Sequence, residues 1–117
     1  MTSQHSNLTA EKWSQFTLDQ QILMIGNEMN RAKKFLDSAD FDRLRNCYER
    51  ILTLTDLTIR VNRKSTLRRE LLRWRDLIAE LFLSVDPDRL DHLAAFQSLL
   101  LMTPVASKQR QHVLSRD

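Results

Sequence analysis

The sequence predicts an all-α protein, an antiparallel bundle of about four helices. Three observations predict it. Apolar residues recur at alternating spacings of three and four along most of the chain, the repeat of a helix that buries one stripe. The 117 residues include one Gly and two Pro, too few breakers for a protein rich in tight β-turns. Hydrophobic residues make up 42% and charged residues 28%, a globular balance rather than a disordered one.

The first residues are polar, and residues 1–8 are expected to be flexible, as is the basic tail 105–117. Between these ends, residues 1–117 read as a single helical-bundle domain. Glu11, Trp13 and Phe16 suit a short helical turn. The first long helix is expected over 17–37. Thr17 and Gln20 have the form of a capping box, a hydroxyl on the first free amides and an amide side chain reaching back. Leu18, Ile22, Ile25, Met29, Ala32 and Leu36 then form one stripe. Gly26 interrupts it at a cost of about 1 kcal/mol against Ala, which a close helix crossing would explain.

Asp37 to Asp40 are cap formers. A second helix is expected over 40–61, with a stripe of Phe41, Leu44, Tyr48, Ile51, Thr55 and Thr58. A third is expected over 66–85, carrying Leu67, Leu71, Trp74, Ile78, Leu81 and Val85. Asp86-Pro87 reads as an N-cap followed by Pro at the first helical position, opening a fourth helix over 87–102. Thr103-Pro104 is expected to end it, since Pro disfavours helix at the residue before it.

Features from Trp13 to Phe82 resemble a family of small bacterial all-helical proteins of unknown function. They are Trp13, Gln20, Ile25-Gly26, Glu28, Arg31-Ala32, Glu49-Arg50, Asp56-Leu57-Thr58, Glu70-Leu71, Arg73, Arg75 and Phe82. Residues 86–102 depart from the pattern and look like an added helix. The resemblance implies a bacterial helical domain and no particular activity.

A lone Cys47 cannot form an internal disulfide, and the polar N-terminus has no apolar signal segment. Both fit a cytoplasmic setting. The longest apolar run, Leu99 to Met102, is far below the roughly 20 residues of a membrane span, so no membrane partner is expected.

Chemistry is sparse. Glu28, Glu49, Glu70 and Glu80 lie on predicted helices, but no Glu-x-x-His accompanies them as a di-iron bundle would require. Asp88 and His92 make at best half a metal site. Cys47 falls beside a core stripe with no neighbouring His to activate it. One Gly cannot form a phosphate loop. No catalytic residue, metal site or cofactor is expected, and the chain reads as a non-enzyme. Glu28 and Glu70 flank their stripes, where pairing with an Arg from a neighbouring helix would fix register; a polar pocket for a small ligand is the less favoured alternative.

Two surfaces stand out. Residues 1–58 carry a net charge of −1 and residues 59–117 a net +4. Arg60, Arg63, Lys64, Arg68, Arg69, Arg73 and Arg75 supply a candidate basic surface for nucleic acid or an acidic protein. Asp76 and Glu80 share a face with Arg69 and Arg73 and are expected to neutralise part of it, which favours a merely solvated face. The second surface is apolar. Leu23 and Leu57 lie far from their stripes, Leu72 and Leu77 widen the third helix, and Phe96, Leu99, Leu100, Leu101 and Met102 make the fourth helix apolar on most sides. These last five are a candidate interface for a partner protein or a second copy. Deep insertion of that helix into the bundle is the equal alternative. The function expected is therefore a protein–protein interaction module, self-associating as a homo-oligomer, with nucleic-acid binding at 60–75 as the alternative.

Overall fold

The computed structural model describes residues 8–108. Five helices are α1 (Ala10–Trp13), α2 (Leu18–Asp37), α3 (Phe41–Val61), α4 (Ser65–Leu83) and α5 (Arg89–Leu100). Residues 104–108 are helical as well, and no strand occurs among the described residues. α2, α3, α4 and α5 form a closed ring of neighbours, and α1 packs on α3. The all-α bundle expected from the periodicity is the fold observed.

Local chemistry explains the start of each element. The capping box at Thr17 forms as expected: Gln20 N–H donates to Thr17 Oγ1 at 3.1 Å, and Thr17 N–H donates to Gln20 Oε1 at 2.8 Å. α2 ends in a Schellman motif. Asp40 N–H donates to Phe35 O at 2.9 Å and Ala39 N–H to Leu36 O at 3.2 Å, with Ala39 held at a positive φ of 56°. This is the position where Gly is usual. Asp40 then caps α3 through Arg43 N–H.

Both proline signals act differently from expectation. α5 does not begin at Pro87. Asp88 accepts from Leu90 N–H at 2.7 Å and Asp91 N–H at 3.2 Å, and a carboxylate holding two free amides outranks the Asp-Pro pair before it. α4 correspondingly stops at Leu83, and Val85, expected on its core stripe, is 87% exposed. Thr103-Pro104 does more than end α5. Thr103 is itself a cap, its Oγ1 accepting from Ala106 N–H at 3.1 Å, with Pro104 at the first position of the next helical turns. Thr103 and Ala106 are buried, so 103–108 is part of the packed fold and not a flexible tail. Leu8 also packs against the core. The remaining residues of the two ends, with His5 and His112, lie outside the described residues.

The core joins the stripes of α2, α3 and α4 to Ala95, Phe96, Leu99 and Leu100 of α5. Gly26 faces α5, where an added Cβ would lie 3.5 Å from both Leu100 Cδ2 and Phe96 Cε1. The crossing is real, yet that spacing is ordinary van der Waals contact. Leu23 and Leu57, which looked misplaced, are partly buried against the core.

Several polar groups inside the bundle pair in ways that tie one helix to another. Trp13 Nε1–H donates to Thr58 Oγ1 at 3.0 Å and Trp74 Nε1–H to Ala95 O at 2.7 Å. Gln21 donates to Trp13 O and Phe16 O and accepts from Asn62. The expected register pair exists at Glu28, whose carboxylate accepts from Arg50 Nε at 3.1 Å. Glu70 is exposed and, among the described residues, has no such partner.

Candidate functional site

The surface that the fold leaves incomplete lies between α4 and α5. α5 is an apolar helix with two apolar sides. One side, with Phe96, Leu99 and Leu100, is fully buried in the bundle. These three expected interface residues are core, because α5 inserts against α2 at Gly26. The other side faces out, with Leu90 71% and Leu101 54% exposed and Ala94 exposed between them. Met102 is half-buried beside Leu101.

α4 contributes the opposite bank. Trp74 and Leu81 point to the core, while Leu77, one step around the helix, stays 44% exposed. The result is a groove in two connected parts that share Leu77 and Ser98. One part, about 440 Å³, has an acidic rim of Glu80, Asp86, Asp88 and Asp91. The other, about 260 Å³, is bordered by Arg73, Glu70, Leu101 and Met102 over the Trp74 ring. The floor is apolar, and small residues at Ala94, Ala95 and Ser98 leave room for an incoming side chain. The groove offers apolar contact bounded by charge, the composition of a recognition surface.

The expected basic surface divides. Arg68 is turned inward and donates to Asn62 O at 2.8 Å, Ile59 O at 3.1 Å and Arg60 O at 3.4 Å, closing the last carbonyls of α3. Arg75 makes a two-pronged pair with Asp56 of α3. The hydrogen bond and then the charge of Asp56 hold its proton more firmly than usual. Arg60, Arg63, Lys64, Arg69 and Arg73 remain exposed. Among the described residues none of these five forms an ion pair, and neither Asp76 nor Glu80 does so. Arg69 and Arg73 share their helix face with Asp76 and Glu80, as expected, without a contact ion pair.

Buried titratable groups serve the bundle. Burial pushes the Cys47 thiol up, which disfavours the thiolate a nucleophile needs. His92 lies fully buried between α2 and α3. Its Nε2 faces Met29 O at 3.0 Å and its Nδ1 faces Tyr48 Oη at 2.8 Å. A carbonyl can only accept, so Nε2 carries the proton and Tyr48 donates to Nδ1. Burial lowers the His92 pKa, against smaller raising effects from Met29 O and Asp37. No cluster of three potential metal ligands occurs among the described residues, and no described helix is long and apolar enough to cross a membrane.

The pairing of His92 with Tyr48 had no sequence signal beyond a polar residue at a helical spacing. The groove had a partial one in Leu77 and Leu101, each off its core stripe. No family model, curated protein or solved structure was found to match the chain.

Proposed function

We propose that this chain is a non-enzymatic protein–protein interaction module that self-associates, with the α4–α5 groove of one copy seated on that of a second. One observation carries the reading: the groove is apolar along its floor, acidic at one end with Glu80, Asp86, Asp88 and Asp91, and mixed at the other, where Arg73 stands beside Glu70. Along α4, Arg73 precedes Leu77, with Arg69 one turn earlier and outside the groove lining, whereas Glu80 follows Leu77 and shares its end with Asp86, Asp88 and Asp91. A two-fold axis near Leu77 and Ser98 would set Arg69 and Arg73 of one copy against Glu80 and Asp91 of the other. An isologous contact needs this kind of self-complementary surface. Leu77, Leu90 and Leu101 would lose their exposure on association, which supplies the driving force.

Sedimentation of the full chain tests the reading. A dimer is expected at micromolar concentration, and Leu77→Asp is expected to shift it to monomer with the helical circular dichroism signal unchanged. A wild-type chain that stays monomeric at high concentration would remove the proposal.

A second reading rests on Arg60, Arg63 and Lys64, which stand exposed and unpaired among the described residues at the α3–α4 turn. They would contact phosphates without reading bases. Binding to mixed-sequence nucleic acid that falls steeply with salt, and is lost on reversing these three charges, would support it. The resemblance to small bacterial proteins and the lone buried Cys47 support placing either activity in a bacterial cytoplasm.

A further inference from the structure

On the face away from the groove, α2 and α3 enclose a recess of about 200 Å³ lined by Arg31, Phe35, Arg43, Asn46 and Arg50. We propose that it binds a phosphoryl group. It shares no lining residue with the groove, so it stands or falls independently of self-association.

Three guanidiniums from two helices meet at one small space. Arg50 is the anchor. It is only 7% exposed, and two of its nitrogens are fixed: Nε donates to Glu28 Oε2 at 3.1 Å and Nη2 to Cys47 Sγ at 3.3 Å. A buried arginine held in this way does not lose side-chain entropy when a ligand arrives. Arg31 and Arg43 are the exposed partners. Arg31 lies 3.9 Å from Glu28 and Arg43 lies 3.6 Å from Asp40, both beyond hydrogen-bond length. Among the described residues neither guanidinium makes a hydrogen bond, and neither does the Asn46 carboxamide. Arg43 also sits 5.8 Å over the Phe35 ring, which keeps it near the recess.

The charge balance and the shape select the ligand. Glu28 and Asp40 offset two of the three positive charges, leaving a surplus of one and most of the N–H groups uncommitted. A carboxylate has two oxygens and is satisfied by a single guanidinium fork. Three forks around one space match a tetrahedral oxyanion, with a phosphate's several oxygens and its charge between one and two. Free inorganic phosphate and a small phosphomonoester share this chemistry.

Nitrogen–proton correlation spectra of the full chain test the site. Inorganic phosphate and phenyl phosphate are titrated separately, each against sodium chloride at equal ionic strength. Saturable shifts are expected at the Arg50 Nε–H and at backbone amides of 31–35 and 43–50. Arg31→Ala with Arg43→Ala is expected to weaken binding by at least about tenfold, and both residues are exposed, so the bundle survives the change. Tighter binding of phenyl phosphate assigns the site to an ester, and equal or weaker binding assigns it to the free ion. Shifts that chloride reproduces, or that the double variant retains, overturn the proposal.

Discussion

Single residues set two conditions on this bundle. Ala39 sits in the left-handed region at φ 56°, which costs an L-residue with a Cβ about 1–2 kcal/mol. Ala39→Gly removes that strain but gives the unfolded chain more freedom. The net expected effect is a stabilisation of about 0.5–1 kcal/mol, read from the urea midpoint at unchanged slope. His92 sets the other condition. Its folded pKa lies below its unfolded value of about 6.5, so the unfolded chain takes up a proton that the folded chain refuses. The stability it contributes is fully present above pH 6.5. It is lost progressively as pH falls from there toward the folded pKa, with a slope of up to about 1.4 kcal/mol per pH unit. Protonated Nδ1 would also confront the Tyr48 hydroxyl that now donates to it. Melts between pH 8 and pH 5 should show this loss, and a His92→Gln chain should show a flatter profile. An equal slope in the two chains would mean that His92 is not the titrating group. At this scale the sequence disclosed Glu28 as a register residue, because its offset from the stripe is a matter of helical angle. It did not disclose Arg50 as its partner, since which of several arginines turns inward depends on how α2 and α3 are aligned.

At the scale of elements, hydrophobic period made the four long helices legible to within a few residues, and the capping box at Thr17 was readable outright. The errors concentrate around the two prolines. Proline after a cap-forming residue is compatible with a helix start, a helix end or a connecting turn, and the neighbouring side chains decide which. At residues 86–88 two aspartates compete, and Asp88 prevails because its Oδ1 reaches two amides. The roles are separable. Asp88→Ala is expected to cost about 1 kcal/mol of stability, the usual loss on removing an N-cap. Asp86→Ala should change it by no more than a few tenths, because the Asp86 side chain has no partner among the described residues. Chemical denaturation of the two variants checks the difference, and equal losses would mean that the cap is shared. At Thr103-Pro104 the same ambiguity hid a further helical turn, which Ala106 anchors in the core.

For the whole molecule, the extents of 36 × 36 × 22 Å make the short dimension about two helix diameters. In a two-layer slab each helix has one side that its neighbours leave uncovered. A helix apolar on two sides, such as α5, must therefore leave one of them at the surface. The sequence showed that α5 was too apolar for its place, but the choice of buried side depended on how α5 packs on α2, where Phe96 and Leu100 meet the helix beside Gly26. That packing puts Leu101 and Leu90 outside and fixes the groove on the α4 side. The charges along α4 then become informative as a set. Arg69, Arg73, Asp76 and Glu80 make no ion pairs among the described residues, although an i, i+3 pairing was open to Arg73 and Asp76. Without a contact pair on their own helix, they are available to the proposed self-association, in which opposite ends would meet. Arg73→Glu and Glu80→Arg should each weaken the proposed dimer by roughly twofold to thirtyfold, since an exposed pair of about 0.2–1 kcal/mol would occur twice across the two-fold axis. The double exchange should recover most of the affinity, because the like charges placed opposite each other become opposite charges again. Sedimentation of the three variants at low and physiological salt decides it. Losses that simply add in the double variant would mean that residues 73 and 80 do not face each other, and would rule out the antiparallel arrangement.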